Sequence, residues 1–188
     1  RMAGSGLQDK ILLQVDKSLG EETDLLSNLV KIKSLVGQEG EGQNFYAQAC
    51  RNLGMKVEMF TAEKEKIKTH PAYIPIDLEY PGRPNVIAEM PGAGGGRSLI
   101  LNGHIDVVSP EPVSLWTVDP WGGQVKENRL YGRGSVDMKA GLAANLYALK
   151  AIVDCGMKPK GRVILESTIE EELGGSGGTL ACFLHGVT

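Results

Sequence analysis

The sequence has little of several things, and each scarcity narrows its class. It holds three cysteines in 188 residues. Cys50, Cys155 and Cys182 are odd in number and widely spaced, which fits neither a disulfide framework nor a zinc finger. They read as reduced, mostly buried thiols of a cytoplasmic protein. No apolar run approaches the length of a membrane span. The first apolar stretch, Ile11-Leu12-Leu13, is short and gives way to Gln14 and Asp16, unlike a secretory leader. Positive charge is not in excess: 20 Lys and Arg against 23 Asp and Glu give a net charge of -3. Such a surface does not favour nucleic acid or an anionic membrane as partner. Lys64, Lys66 and Lys68 do cluster, but they alternate with Glu63 and Glu65 and read as a solvated face.

What is present is ordinary globular composition, 41% hydrophobic and 23% charged, over a length sufficient for one cored domain. Ala3-Gly4-Ser5-Gly6 reads as a flexible lead-in. Helical spacing of Leu7, Ile11, Leu12, Val15 and Leu19 predicts a helix over 7–19. A second helix is expected from a cap at Thr23 or Asp24 to Leu35, and a third over 43–53, stopped by Gly54. Strands are predicted over 55–60, 85–90, 98–103 and 162–168. The proline-bearing stretch 61–84 reads as loop, and 124–131 as a strand pair turning at Glu127-Asn128. A long helix spans 140–154, and a short one starts near Thr179. The pattern predicts an α/β fold, a three-layer α/β/α arrangement around a mixed, largely parallel sheet, with no second domain within residues 1–188.

Three groups carry chemistry, and each follows or precedes a core element. Gly103-His104-Ile105-Asp106 lies directly after the apolar strand, where ligands gather in open α/β sheets. His104 and Asp106, two apart, face one side, and a carboxylate beside a metal-bound imidazole fixes its tautomer. Taken alone, this reads equally as a hydrogen-bonded turn histidine. Asp137 sits between the glycine-rich Gly132-Arg133-Gly134 and the long helix, as a helix cap or as a carboxylate bridging two cations. Its charge excludes a pyrophosphate loop at that place. Glu170-Glu171-Glu172 follows the strand ending near Thr168, as an acidic surface loop or as a site whose repulsion a cation relieves. Together they bring imidazole and carboxylates to successive element ends without a thiolate, a donor set for a hard or borderline dication.

These stretches, with Trp121-Gly122-Gly123, Leu130-Tyr131-Gly132-Arg133-Gly134-Ser135-Val136-Asp137-Met138-Lys139-Ala140-Gly141 and Glu170-Glu171-Glu172-Leu173-Gly174-Gly175, resemble a known family. It is that of the zinc-dependent deacylases and metallopeptidases that include acetylornithine deacetylase, succinyl-diaminopimelate desuccinylase, aminoacylase and glutamate carboxypeptidase. The resemblance implies a hydrolase that cleaves the amide bond of N-acyl amino acids or small peptides with zinc-activated water. His104, Asp137 and Glu172 would be metal ligands, Asp137 bridging two Zn2+ ions (Co2+ or Mn2+ as substitutes) with a cis peptide to Met138. Asp106 would orient His104, and Glu171 would be the general base. The family usually has Asp where Glu170 stands, which leaves a second register, Glu170 as base and Glu171 as ligand. The resemblance further implies a homodimer and a smaller lid or dimerisation domain beyond these residues. A further acidic ligand and a far histidine are likewise expected outside the chain, so the alternative expectation is a catalytically incomplete fragment or a non-catalytic binding domain. His185 is expected to close the last helix and not to bind metal.

Overall fold

The computed structural model describes residues 5–187. Helix α1 (Ser5–Lys31) and α2 (Gly40–Asn52) are followed by strand β1 (Lys56–Thr61) and a single turn, α3 (Lys64–Ile67). Strands β2 (Pro84–Met90) and β3 (Leu99–His104) lead to a hairpin, β4 (Gln124–Lys126) and β5 (Arg129–Tyr131). Helix α4 (Lys139–Asp154), strand β6 (Val163–Thr168) and the short α5 (Ala181–Leu184) complete the order.

The first two expected helices are one. Thr23 does not cap a new helix; its Oγ1 donates back to Leu19 O at 2.7 Å within the continuous α1. Gly20 stays helical despite the backbone entropy it costs, because α1 runs along α4 and sends Leu29 and Val30 into the core. Of the expected lead-in, residues 1–4 lie outside the described residues, whereas Ser5 and Gly6 already belong to α1. The strand pair at 124–131 turns at Glu127 and Asn128, with φ of 51° and 59°, the left-handed pair that a two-residue hairpin loop requires.

The main sheet has strand order β1-β2-β6-β3. It is mixed, but not largely parallel: β1–β2 and β2–β6 are antiparallel, and β3–β6 alone is parallel. Only the single turn α3 and loop join β1 to β2, not a long crossover helix, so these two pair antiparallel, and β6 settles antiparallel beside β2. Val86, Ala88, Val163 and Leu165 point to one face, where they join Tyr46 and Ala47 of α2 and Leu142, Leu146 and Leu149 of α4 in the core. Tyr46 Oη donates to Leu142 O at 3.1 Å and ties the two helices together. The opposite face carries Ile87, Ile164 and Glu166, and α5 lies toward it. His185, the residue closing α5, stacks on Phe60 of β1 and bonds Glu58 Oε1 at 2.8 Å. His185 is thus held at the β1 edge, apart from the acidic motifs. The layering is α/β/α, with the second helical layer represented by α5. Cys50 and Cys182 are buried, and Cys155 half-buried, all with free thiols. Glu63 pairs with Lys66 at 2.6 Å and Glu65 with Lys68, all exposed, as a solvated turn. No helix among the described residues is long and apolar enough to cross a membrane.

Candidate metal centre

His104 is the last residue of β3 and pairs in register with Thr168, the last residue of β6. The parallel pairing therefore brings the His-x-Asp segment beside the glutamate run. His104 is 3% exposed. Its Nδ1 donates to the main-chain oxygen of Asp106 at 2.9 Å, which leaves Nε2 directed at Asp137 Oδ1, 3.2 Å away. Glu171 Oε2 lies 3.6 Å from the same nitrogen. Burial works against protonation of His104, but the hydrogen bonding and charge of Asp106, with the charge of Glu171, outweigh it and push its pKa up to about 9.

The Asp106 carboxylate has a different principal partner from the expected one. It stands 3.6 Å from His104 Nδ1, beyond hydrogen-bond distance, and contributes there through its charge. Its two oxygens accept the backbone N–H groups of Glu171 and Glu172 at 3.2 and 3.1 Å. Successive N–H groups converging on one carboxylate form a small anion nest. Asp106 thus fastens the turn Glu171–Leu173 to the end of β3.

Asp137 does not cap α4; Met138 occupies the cap position, without a side-chain cap bond. The Asp137–Met138 peptide is cis. The Asp137 side chain is 74% exposed and inclines toward His104. His104, Asp137 and Glu172 each offer one ligand atom, and the three atoms lie within 4.8 Å of one another. That is a spacing one divalent cation can span, with a nitrogen and carboxylate oxygens as donors. Burial first, then the charge of Asp137, raises the Glu172 pKa, against the lowering effect of His104. A cation would relieve that repulsion.

Glu170 points elsewhere. It is fully buried, at φ 68°, and its Oε1 accepts the N–H of Gly177 at 3.0 Å. Arg83 Nη2 lies 3.5 Å from its Oε2. Arg83 in turn forks onto Glu39 through two 2.8 Å bonds. Burial raises the Glu170 pKa, partly offset by Gly177 and Arg83. Of the three consecutive carboxylates, the first is therefore partnered by an arginine, and the other two turn to the imidazole. Gly177 must be glycine here, since a Cβ would run into the Tyr80 ring and come within 2.9 Å of Glu170 Oε2. Glu39, Arg83 and their grip on Glu170 carried no sequence signal: the three lie far apart in the chain and in unrelated local patterns.

Fold and site together define an α/β domain that gathers a nitrogen and carboxylate oxygens in a set that could hold a divalent cation. Residues 100–187, which include His104, Asp137 and Glu170–Glu172, match peptidase family M20/M25/M40, and over that stretch the chain resembles this family. It is 32% identical over 185 residues to the N-formyl-4-amino-5-aminomethyl-2-methylpyrimidine deformylase of Halalkalibacterium halodurans, covering 96% of this chain and 39% of that protein. It is 44% identical over 161 residues to succinyl-diaminopimelate desuccinylase 2 of a Ruegeria species, covering 86% of this chain and 36% of that protein. Among solved structures, an M20 family metallo-carboxypeptidase from Sulfolobus solfataricus superposes with a TM-score of 0.67 at 26% identity, over 82% of this chain and 32% of that one. The yeast dipeptidase Dug1p, at 15% identity over 88% of this chain and 35% of its own, shares the fold with a TM-score of 0.73. The chain thus spans little more than a third of the length of these relatives.

Proposed function

We propose that the chain is the metal-binding part of a hydrolase that cleaves the amide bond of N-acyl amino acids or small peptides. The observation that carries this reading is the convergence of His104, Asp137 and Glu172 within 4.8 Å, with the Glu171 carboxylate beside them. In this reading His104 Nε2, Asp137 and Glu172 hold divalent cations, zinc by preference, with cobalt or manganese as substitutes. Asp137, with Oδ1 toward His104 Nε2 and a side chain 74% exposed, would be the ligand shared between two such ions. Bound cations supply Lewis-acid polarisation of the carbonyl and acidify the attacking water. Glu171 takes the proton from that water and hands it to the leaving amine. Asp106 holds Glu171 and Glu172 in place through their N–H groups and keeps Nδ1 of His104 the donor. Glu170, turned inward to Arg83, serves the turn and takes no proton from substrate.

The remaining ligands and a smaller lid or dimerisation domain belong, in this proposal, to protein outside these residues. The whole enzyme is a cytoplasmic homodimer, and this chain alone does not turn over substrate. The test is Glu171→Gln in the full-length protein, assayed on a panel of N-formyl, N-acetyl and N-succinyl amino acids. Turnover should vanish while bound metal, measured by atomic emission, stays at the wild-type level. Retained turnover would remove Glu171 from the mechanism, and a wild-type protein without metal would remove the proposal.

A further inference from the structure

We propose that Lys139 is a positioning residue for the metal centre, acting through the end of α1 to fix the separation of His104 and Asp137. The inference rests on the metal-binding reading above, but concerns residues that touch none of the ligands. Lys139 is fully buried. Its Nζ donates to Leu29 O and Ile32 O, both at 2.8 Å, and among the described residues no carboxylate pairs with it. An ammonium in the interior without a counter-charge is costly, and a methionine of similar length would fill the same space. What the ammonium adds is directional donors. The two carbonyls belong to the last turn of α1 and the residue after it; each also accepts one short-range N–H, from Ile32 at 3.2 Å and from Ser34 at 2.9 Å, in place of a regular helical bond, and the helix dipole favours a cation there.

The same short segment also grips the other side of the site. Ser34, fully buried, donates from Oγ to Ile105 O at 2.6 Å, and its own carbonyl accepts Val107 N–H at 3.0 Å. Residues 29–35 are therefore bonded both to the stretch carrying His104 and Asp106 and to the first residue of α4, two places after Asp137. The Asp137 loop closes onto this hub: Lys139 N–H donates to Gly134 O at 3.0 Å. A Cβ at Gly134 would lie 2.6 Å from Val107 Cγ1 and 3.2 Å from Lys139 Cδ. Asp137 has a largely exposed side chain, so its position is set by backbone, and that backbone is set here.

The experiment is titration of the purified full-length protein with Co2+, read by its visible absorption and by competition with a chromophoric chelator, beside thermal melts of the metal-free protein. Lys139→Met should bind Co2+ on the order of 10–100-fold more weakly, the usual cost of removing a group that orients ligands. Its metal-free melting temperature should hold or rise, as a buried charge has gone. Leu146→Ala, a core change in α4 away from the loop, should lower the melting temperature and leave the affinity of the folded protein unchanged. Ser34→Ala, on the His104 side, should also weaken Co2+ binding, and it carries the test alone if Lys139→Met does not fold. Wild-type affinity in the variants, or an affinity loss that only tracks melting temperature, would overturn the inference while leaving the metal site standing. A wild-type full-length protein that binds no Co2+ would overturn both.

Discussion

Replacing Arg83 with methionine removes the one cation that faces two fully buried carboxylates. Glu39 and Glu170 are each fully buried, and Arg83 is 3% exposed. The guanidinium makes two 2.8 Å bonds to Glu39, accepts none in return, and reaches Glu79 O at 3.1 Å and Glu170 Oε2 at 3.5 Å. A bidentate buried pair of this kind contributes little over an apolar replacement of all partners, but removing one partner strands the others, at roughly 3–5 kcal/mol. For a domain of this size each kcal/mol moves the melting temperature by about 2–4 °C, so Arg83→Met should melt roughly 6–20 °C below wild type at neutral pH. The deficit has a pH signature. Without the arginine, whose charge now offsets part of the effect, burial raises the Glu170 carboxyl further above its unfolded value of 4.5. The folded state then binds more protons than the unfolded one, and stability falls as pH rises above that value. The deficit should therefore narrow on going from pH 7 toward pH 4.5. Urea unfolding followed by circular dichroism at both pH values measures it. A deficit below about 1 kcal/mol at pH 7, or one that is the same at both, refutes the reasoning.

Two more predictions concern the site itself. With its pKa pushed up to about 9, His104 holds a proton at neutral pH that a cation must displace; the proton competes, so Zn2+ affinity should rise about tenfold per pH unit between pH 6 and 8. Calorimetric titration in buffers of different ionisation heat should show proton release, and a pH-independent affinity would refute the assignment of Nε2 as ligand. Asp106→Asn keeps one acceptor oxygen where two N–H groups now find partners, so one is left unmet, at roughly 1–3 kcal/mol. The variant should melt several degrees lower, and a melt unchanged within a degree would show that the carboxylate does not hold the turn.

How much of this was legible depended on whether the cause was local. The run before His104, the Glu127-Asn128 turn and the apolar stripe of α4 are local patterns, and they appear where the sequence places them. The break expected near Gly20 did not occur, because the contact of α1 with α4 outweighs one glycine. The parallel share of the sheet was overstated, since strand direction depends on which strand β6 settles between. The acidic run was legible as a site but not as a division of labour. Glu170 turns away because of Arg83, 87 positions earlier in the numbering, and no spacing within the motif reveals that. Lys139 stood inside a motif read for Asp137, and its role emerges only when the end of α1 arrives beside it.

The strand order carries a consequence for how the protein is made. Among the described residues β6 is the last strand in chain order, yet it lies between β2 and β3. Until the ribosome has released residues up to Thr168, β3 has no neighbour in the sheet and β2 has one open edge. A nascent chain that has emerged only as far as α4 therefore presents unpaired strand edges to its surroundings, the kind of surface that chaperones bind and that aggregates grow from. Insertion of β6 closes both edges in one event, and the same event carries the glutamate turn to His104. The pairing of β6 with its two neighbours and the arrival of the glutamate turn at His104 are thus one step in the life of the polypeptide.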